Sequence, residues 1–306
     1  MKIAILIPCL NESLTIKKVI DDFKYYLPSS EIFVYDNASE DDTYQIAKEA
    51  GATVRIENNR GKANVILRMF NEIEADYYIM IDGDDTYPVD VAPKLINLMI
   101  NENADMIIGD RLSNKSYSVE NKRKFHGFGN SLVKLLINKF FNSDITDVLT
   151  GYRVLSKRLV KNYTSSITGF ELETDLTLFC LSYDLKVRQY PIEYRDRPKG
   201  SVSKLNTYTD GFKVLLLFFN LYRFYKPLYF FGYLAIVFFA AGMFLGVFPI
   251  KEYIFNEGHY ITKVPTAILS ISLIIISILL LCNGLILDNL SKHNKQLFKN
   301  LINNYK

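Results

Sequence analysis

Tryptophan is missing from this chain of 306 residues, and cysteine and histidine occur only three times each. Cys9, Cys180 and Cys282 are too scattered for a disulfide framework or a thiolate cluster, so they read as reduced structural residues. The histidines are equally dispersed, which argues against a zinc site. Charge of one sign is also scarce: a formal net charge of +3 is too small to point to a nucleic-acid partner. Internal repeats and low-complexity linkers are lacking as well. A cleavable signal sequence is not expected, because the opening MKIAILIPCLNE breaks its apolar run with a proline and a charged cluster.

What the chain has in quantity is apolar residues, 49% of the total, enough for one domain of ordinary size plus an appendage. Residues 228–248 (LYFFGYLAIVFFAAGMFLGVF) and 266–287 (TAILSISLIIISILLLCNGLIL) are uncharged runs of roughly twenty residues, the length that crosses a bilayer of ~30 Å as helix. They are expected to form two transmembrane helices. The connection at 249–265 sets Lys251 and Lys263 against Glu252 and Glu257, whereas the tail carries Lys292, Lys295, Lys299 and Lys306. By the positive-inside rule the tail and the large N-terminal part face the cytoplasm, and the hairpin loop faces outward.

Residues 76–88 (DYYIMIDGDDTYP) organise the rest. A strand over 77–81 stops at Asp82, Asp84 and Asp85, with Gly83 between the first two, and ligands of open parallel sheets gather outside the carboxyl ends of strands. Crowded carboxylates repel one another and lose hydration, a cost that a shared cation relieves. The spacing suits Mg²⁺ or Mn²⁺ held for a phosphate-bearing substrate. It also suits a solvated acidic turn, since Asp-Gly pairs are common in turns.

Strands are expected at 2–8, 31–35, 52–56 and 104–108, with helices over 15–27, 39–50, 59–73 and 91–101, Ser13 being a candidate cap for the first helix. This alternation predicts an α/β fold with a mostly parallel sheet. Gly61 followed by Lys62 at a helix start suits a diphosphate. Pro8, Glu12, Asp36, Lys62 and Asp82 all fall at strand ends or helix starts, and so converge on one rim. Residues 121–141 are basic with helically spaced apolar positions, which fits a helix on a membrane surface or one packed on the sheet. Asp147, Thr150, Gly151 and Arg153 form a polar turn before a short strand. A helix over 170–183 carries Glu171, Glu173 and Asp175 in its first turns, where capping accounts for at least one of them. A strand over 187–194 leads to a loop at 195–204 rich in cations and hydroxyls, suited to an anion. Residues 205–226 read as an amphipathic aromatic helix.

The ordered set IPCLNE (7–12), DNASEDDT (36–43), RGKA (60–63), DGDD (82–85), GDR (109–111), DVLTGYRV (147–154) and RPKGSVSK (197–204), followed by two membrane helices, resembles the polyprenyl-phosphate glycosyltransferases. These include the dolichol-phosphate mannose synthases and the bacterial undecaprenyl-phosphate glucose transferases. The resemblance implies a GT-A (Rossmann-like) fold and inverting transfer of a sugar from a nucleotide-diphosphate sugar, with Mg²⁺ or Mn²⁺, to a polyprenyl phosphate. It divides the chain into a cytosolic GT-A domain (1–204), an interfacial helix (205–227), two transmembrane helices (228–287) and a basic cytosolic tail (288–306). Carried over by position, Pro8, Asn11, Glu12, Asp36, Lys62, Asp82 and Gly83 would bind the donor, and Asp82 and Asp84 the metal. Arg111, Arg123, Asn130, Arg197, Ser201 or Ser203, and Lys204 would surround the lipid phosphate. Asp84, Asp147 and Arg111 would stand nearest the reacting centre. Thr86 replaces a glutamine ligand common in relatives, which leaves Asp85, Thr86 or water to complete the metal shell. Analogy implies a homo-oligomer, a tetramer, and a uridine diphosphate donor of glucose or N-acetylglucosamine serving cell-envelope glycans. A processive polysaccharide synthase would need a Gln-x-x-Arg-Trp element, which a chain without tryptophan lacks. A catalytically silent scaffold of the same fold is the other alternative.

Overall fold

The computed structural model describes residues 1–113, 126–164, 172–195, 219–220, 222–256 and 260–303. The chain divides into two units, Met1–Leu217 with Ile302–Lys306, and Phe218–Leu301.

Apolar runs rich in β-branched residues set the strands of the first unit. β1 (Ile3–Cys9) is followed by α1 (Ile16–Tyr26), β2 (Glu31–Asp36), α2 (Thr43–Glu49), β3 (Thr53–Ile56), α3 (Lys62–Glu72) and β4 (Tyr77–Met80). After a 3₁₀ turn at Val89–Val91 come α4 (Ala92–Glu102), β5 (Met106–Asp110), α5 (His126–Phe141), β6 (Arg153–Ser156), α6 (Lys157–Asn162), α7 (Leu172–Ser182) and β7 (Val187–Pro191). β1 is apolar almost throughout and buried on both faces, the pattern of a central parallel strand. α1 turns Ile16, Val19, Ile20 and Phe23 inward, at the spacing of one helix face, and pairs Lys17 with Asp21 and Lys18 with Asp22 outside. Its N-cap position belongs to Thr15 and not to Ser13, whose amide instead donates to Asp41. The Thr15 hydroxyl is spent on the Gly83 carbonyl at 2.6 Å, so it ties the helix to the acidic loop instead of capping.

The sheet has seven strands in the order β3-β2-β1-β4-β6-β5-β7. All neighbours are parallel except β6, which runs antiparallel to both β4 and β5. The register sets Met80 opposite Arg153 and Arg153 opposite Ile108. The carboxyl ends of β1, β2, β4 and β5 and the entrance to β6 therefore share one edge of the sheet, where the strand order changes direction. α6 is a short helix for which the sequence offered no periodicity. α7 is buried from Leu172 through Cys180, so Glu173 and Asp175 are interior residues and not solvated first-turn acids. Asp175 accepts the Tyr163 hydroxyl at 2.6 Å, and Glu173 has a cation partner described below. α5 is seated at its far end by buried Ile137 and by Asn138, which both donates to and accepts from the Ile145 backbone.

The second unit holds α8 (Pro227–Phe255) and α9 (Val264–Asn303), both long and apolar enough to cross a membrane. They contain the two predicted runs. Small residues let the two backbones approach: Ser270 donates to the Gly242 carbonyl at 2.8 Å, and a Cβ at Gly242 would lie 2.9 Å from Ile274 Cγ1 and 3.0 Å from the Ser270 carbonyl. A Cβ at Gly232 on the same helix meets nothing within 4 Å. Gly242→Ala should thus lower the thermal midpoint in detergent by a few degrees, about 1 kcal/mol of overpacking, whereas Gly232→Ala should leave it unchanged or raise it. Equal midpoints for the two variants would show that the helices do not pack through Gly242.

Candidate active site

The rim is built from loops that follow β1, β2, β3, β4 and β5. After β1 the chain turns at Asn11, in the left-handed region at φ 53°, and its side chain accepts from the Glu40 amide at 2.8 Å. The Glu12 amide donates to the Thr43 hydroxyl at 2.8 Å. Asp36, at the tip of β2, is buried and accepts the Ser39 amide at 3.1 Å and the Ser39 hydroxyl, a local turn that closes the loop. Asn37 performs a task that the sequence did not single out. Its amide nitrogen donates to the Glu57 and Asn59 carbonyls, both at 2.9 Å, while its oxygen accepts the Gly61 amide at 2.8 Å. It fastens the loop after β3 to the tip of β2. Gly61 has φ 129°, a conformation in which a side chain is strained, and this turn aims α3 with Lys62 as its first residue.

Lys62 Nζ lies 2.5 Å from Asp82 Oδ1 and 2.6 Å from Glu173 Oε1. Burial opposes its charge, but the two carboxylates outweigh burial and hold the ammonium well above the usual lysine range. Asp82 is backed on another side by Gly151: a Cβ there would fall 2.9 Å from Asp82 Cγ. Gly83 is equally confined, since a Cβ would sit 2.7 Å from Cys9 Sγ. Burial, reinforced by Glu12 and Asp36, pushes the Cys9 thiol well up, so it stays a neutral packing group. Asp84 is buried and accepts the Thr86 hydroxyl at 2.6 Å and its amide at 3.2 Å. Asp85 departs from this pair. With φ 56° it swings to Lys18 on α1, at 2.8 Å.

Two of the three carboxylates thus remain as candidate cation ligands, and the shell-completing roles open to Asp85 and Thr86 are filled differently, by Lys18 and by Asp84. No group of three or more metal-ligating side chains occurs among the described residues. That fits a hard cation of the magnesium type, which takes one or two carboxylates and completes its shell with substrate phosphates and water.

Arg111 follows β5 and binds Asp147 through both ends of its guanidinium, Nε to Oδ2 at 2.7 Å and Nη2 to Oδ1 at 3.0 Å, with the Arg111 amide also on Oδ2 at 3.2 Å. Asp147 is fully buried, and the Arg111 guanidinium lies 5.4 Å from the Tyr194 ring centre and 6.0 Å from that of Tyr87. The Tyr87 hydroxyl accepts the Gly151 amide at 2.9 Å, and burial pushes its pKa far up. A continuous line of contacts therefore joins Lys62, Asp82, Gly151, Tyr87, Arg111 and Asp147. Arg153 shapes the turn that makes this possible. It is fully buried and donates to the Thr150 carbonyl at 3.1 Å, the Val148 carbonyl at 2.6 Å and the Thr177 hydroxyl at 2.9 Å.

The structure brings together Pro8, Asn11, Glu12, Asp36, Lys62, Asp82, Gly83, Asp84, Arg111 and Asp147 on one edge of the sheet. Arg123, Arg197, Ser201, Ser203 and Lys204 lie outside the described residues, and Asn130 falls on α5. Glu173, Asn37, Tyr87 and Arg153 are the rim residues that sequence reading left without a role there. Glu173 had a visible signal, an acid inside an apolar helix.

The chain is similar to known glycosyltransferases. Glycosyltransferase AglJ of Haloferax volcanii is 29% identical over 300 residues, covering 96% of each chain. The dolichol-phosphate mannosyltransferase of Pyrococcus furiosus is 29% identical over 216 residues, 67% of this chain and 59% of that one. Among solved structures, the glucosyl-3-phosphoglycerate synthase of Mycobacterium tuberculosis in complex with Mn²⁺, uridine-diphosphate-glucose and phosphoglyceric acid superposes with a TM-score of 0.56 at 19% identity, over 72% of this chain and 79% of that one. This likeness carries the fold, a GT-A α/β sheet. The glycosyl transferase family 2 pattern matches residues 4–164, more than half of the chain, and contains the whole line from Lys62 to Asp147; the chain belongs to glycosyl transferase family 2.

Proposed function

We propose that the chain moves a sugar from a nucleotide-diphosphate sugar to a polyprenyl phosphate, with inversion, at the cytoplasmic face of a membrane. The observation that carries this reading is the line of contacts that sets a lysine–aspartate pair and an arginine–aspartate pair on one rim, in a chain that also carries two membrane-length helices. The dolichol-phosphate acceptor named for the Pyrococcus relative supports a lipid phosphate here, and the uridine-diphosphate-glucose bound by the Mycobacterium neighbour supports a UDP-linked donor. The donor sugar is glucose or N-acetylglucosamine, and the product serves cell-envelope glycans.

A divalent cation held by Asp82 and Asp84 would supply Lewis-acid neutralisation of the departing nucleoside diphosphate. Lys62 adds a fixed positive charge beside it, already oriented before substrate arrives. A phosphate oxygen of the lipid forms the new bond to the anomeric carbon as the bond from that carbon to the diphosphate breaks on the opposite face. The attacking phosphate has a second pKa of about 6, so it is largely ionised at neutral pH and needs no strong base. Asp147 is unsuited to be one: it is fully buried and occupied by three donors from Arg111. Its work is to hold that guanidinium near the Tyr87 and Tyr194 rings as a charge for the acceptor phosphate.

Membranes containing the chain should convert one member of a panel of radiolabelled nucleotide sugars into butanol-extractable lipid, and a chelator should abolish the label. Asp84→Ala should reduce that label by about a hundredfold or more, the scale of losing a charge-stabilising group. Undiminished label in this variant would refute the cation site. Asp147→Asn should cost about ten- to a hundredfold in kcat/KM for the lipid, through a loosened Arg111, and should leave a pH profile with the single rise near pH 6 of the acceptor phosphate. Total loss of turnover with both substrates still bound would mean that Asp147 takes part in proton transfer.

A further inference from the structure

Glu173 stands outside the mechanism above, yet its carboxylate is 2.6 Å from the ammonium on which donor chemistry depends. It is 5% exposed, on a helix that is interior for its first nine residues. The helix is fixed in rotation: the Thr177 hydroxyl donates to the Glu173 carbonyl at 2.9 Å and accepts from buried Arg153 at 2.9 Å. Glu173 therefore sits where it does by construction. Lys62 alone balances only one of its two carboxylates; buried Arg153, on which Glu173 acts electrostatically, offsets part of the second, and a further cation sharing the site would offset more.

The two carboxylates also differ in position. Asp82 belongs to the acidic loop after β4 and is a candidate cation ligand, whereas Glu173 reaches Lys62 from α7. Lys62 and a divalent cation compete for Asp82. Any group that shares the lysine weakens its hold on Asp82 and so favours the cation, and its own negative charge acts in the same direction.

We propose that Glu173 is a positioning residue that tethers Lys62, sharing the ammonium with Asp82 so that Asp82 stays available to the divalent cation. This rests on Asp82 and Asp84 being the cation site of the proposed transferase. With the tether in place, arrival of the cation lets Lys62 exchange one of its two carboxylates for a phosphate oxygen without leaving the pocket. Without it, the ammonium closes on Asp82 alone and blocks the cation.

Two affinities of the full chain in detergent test this: Mn²⁺ binding without nucleotide, followed by electron paramagnetic resonance, and UDP binding in the presence of chelator, followed by calorimetry. Glu173→Gln keeps the shape and removes the charge. It should weaken Mn²⁺ about tenfold and strengthen chelated UDP severalfold, since a nearby unit charge in a partly buried site acts with opposite sign on cation and anion. Lys62→Met should do the reverse, tightening Mn²⁺ and weakening UDP, and in that background Glu173→Gln should lose most of its effect on Asp82. A merely structural Glu173 would make both affinities fall together, and that outcome, or unchanged affinities, overturns the tether. If Glu173→Gln does not fold, the Lys62→Met arm decides: Mn²⁺ affinity that fails to rise refutes competition for Asp82. Wild-type chain that binds no Mn²⁺ at millimolar concentration would instead refute the cation site itself.

Discussion

Asp82 is the point on which the rim depends. Its carboxylate takes the Lys62 ammonium from α3 and lies against Gly151 in the turn before β6, while its own position is set by β4. Three segments distant in sequence are thereby locked to one another at a single side chain. The lock is electrostatic toward Lys62 and steric toward Gly151, so each side fails for a different reason. A lost charge releases the lysine, whereas an added methyl at position 151 displaces the carboxylate.

The same logic of paired charge extends along the edge. Arg111 and Asp147 satisfy each other in a desolvated setting, where an unpaired member of either kind would be costly. Arg153 is the contrast. It is buried among carbonyls and a threonine hydroxyl, and burial pulls its pKa below the arginine norm. Its guanidinium is a template around which the turn from Val148 to Thr150 is wrapped, Nε holding the Thr150 carbonyl and Nη2 the Val148 carbonyl, which uses the planar fork of arginine.

Much of this was legible in the residues because a parallel sheet leaves little choice. Once β1, β2 and β4 are recognised by their buried apolar runs, their carboxyl ends must share an edge, and Asp36 and Asp82 must share it with them. The reversed direction of β6 was not legible, because alternation of side chains carries no sign for strand direction. Nor could spacing separate Asp84 from Asp85: a left-handed backbone at the latter sends it to Lys18, and that depends on where α1 packs. Ser13 reads as the cap of α1, yet the N-cap position falls to Thr15, whose hydroxyl binds the Gly83 carbonyl in the loop after β4, a contact that only the packed sheet creates. Glu173 looked like an acid complementing a helix dipole because its true partner, Lys62, lies on an element separated by most of the domain.

The amide of Asn37 has a consequence for how two neighbouring positions divide their labour. Its nitrogen faces two carbonyls and its oxygen faces one N–H, so it must present both polarities at once. Aspartate has the same outline but would turn lone pairs toward the lone pairs of Glu57 and Asn59. Next to it, Asp36 collects donors only, from Ser39, and suits an anion. The pair is thus a two-letter word whose letters do not commute: one site must be ionic and its neighbour neutral, and transposing them would unhitch the strap that delivers α3 to the rim.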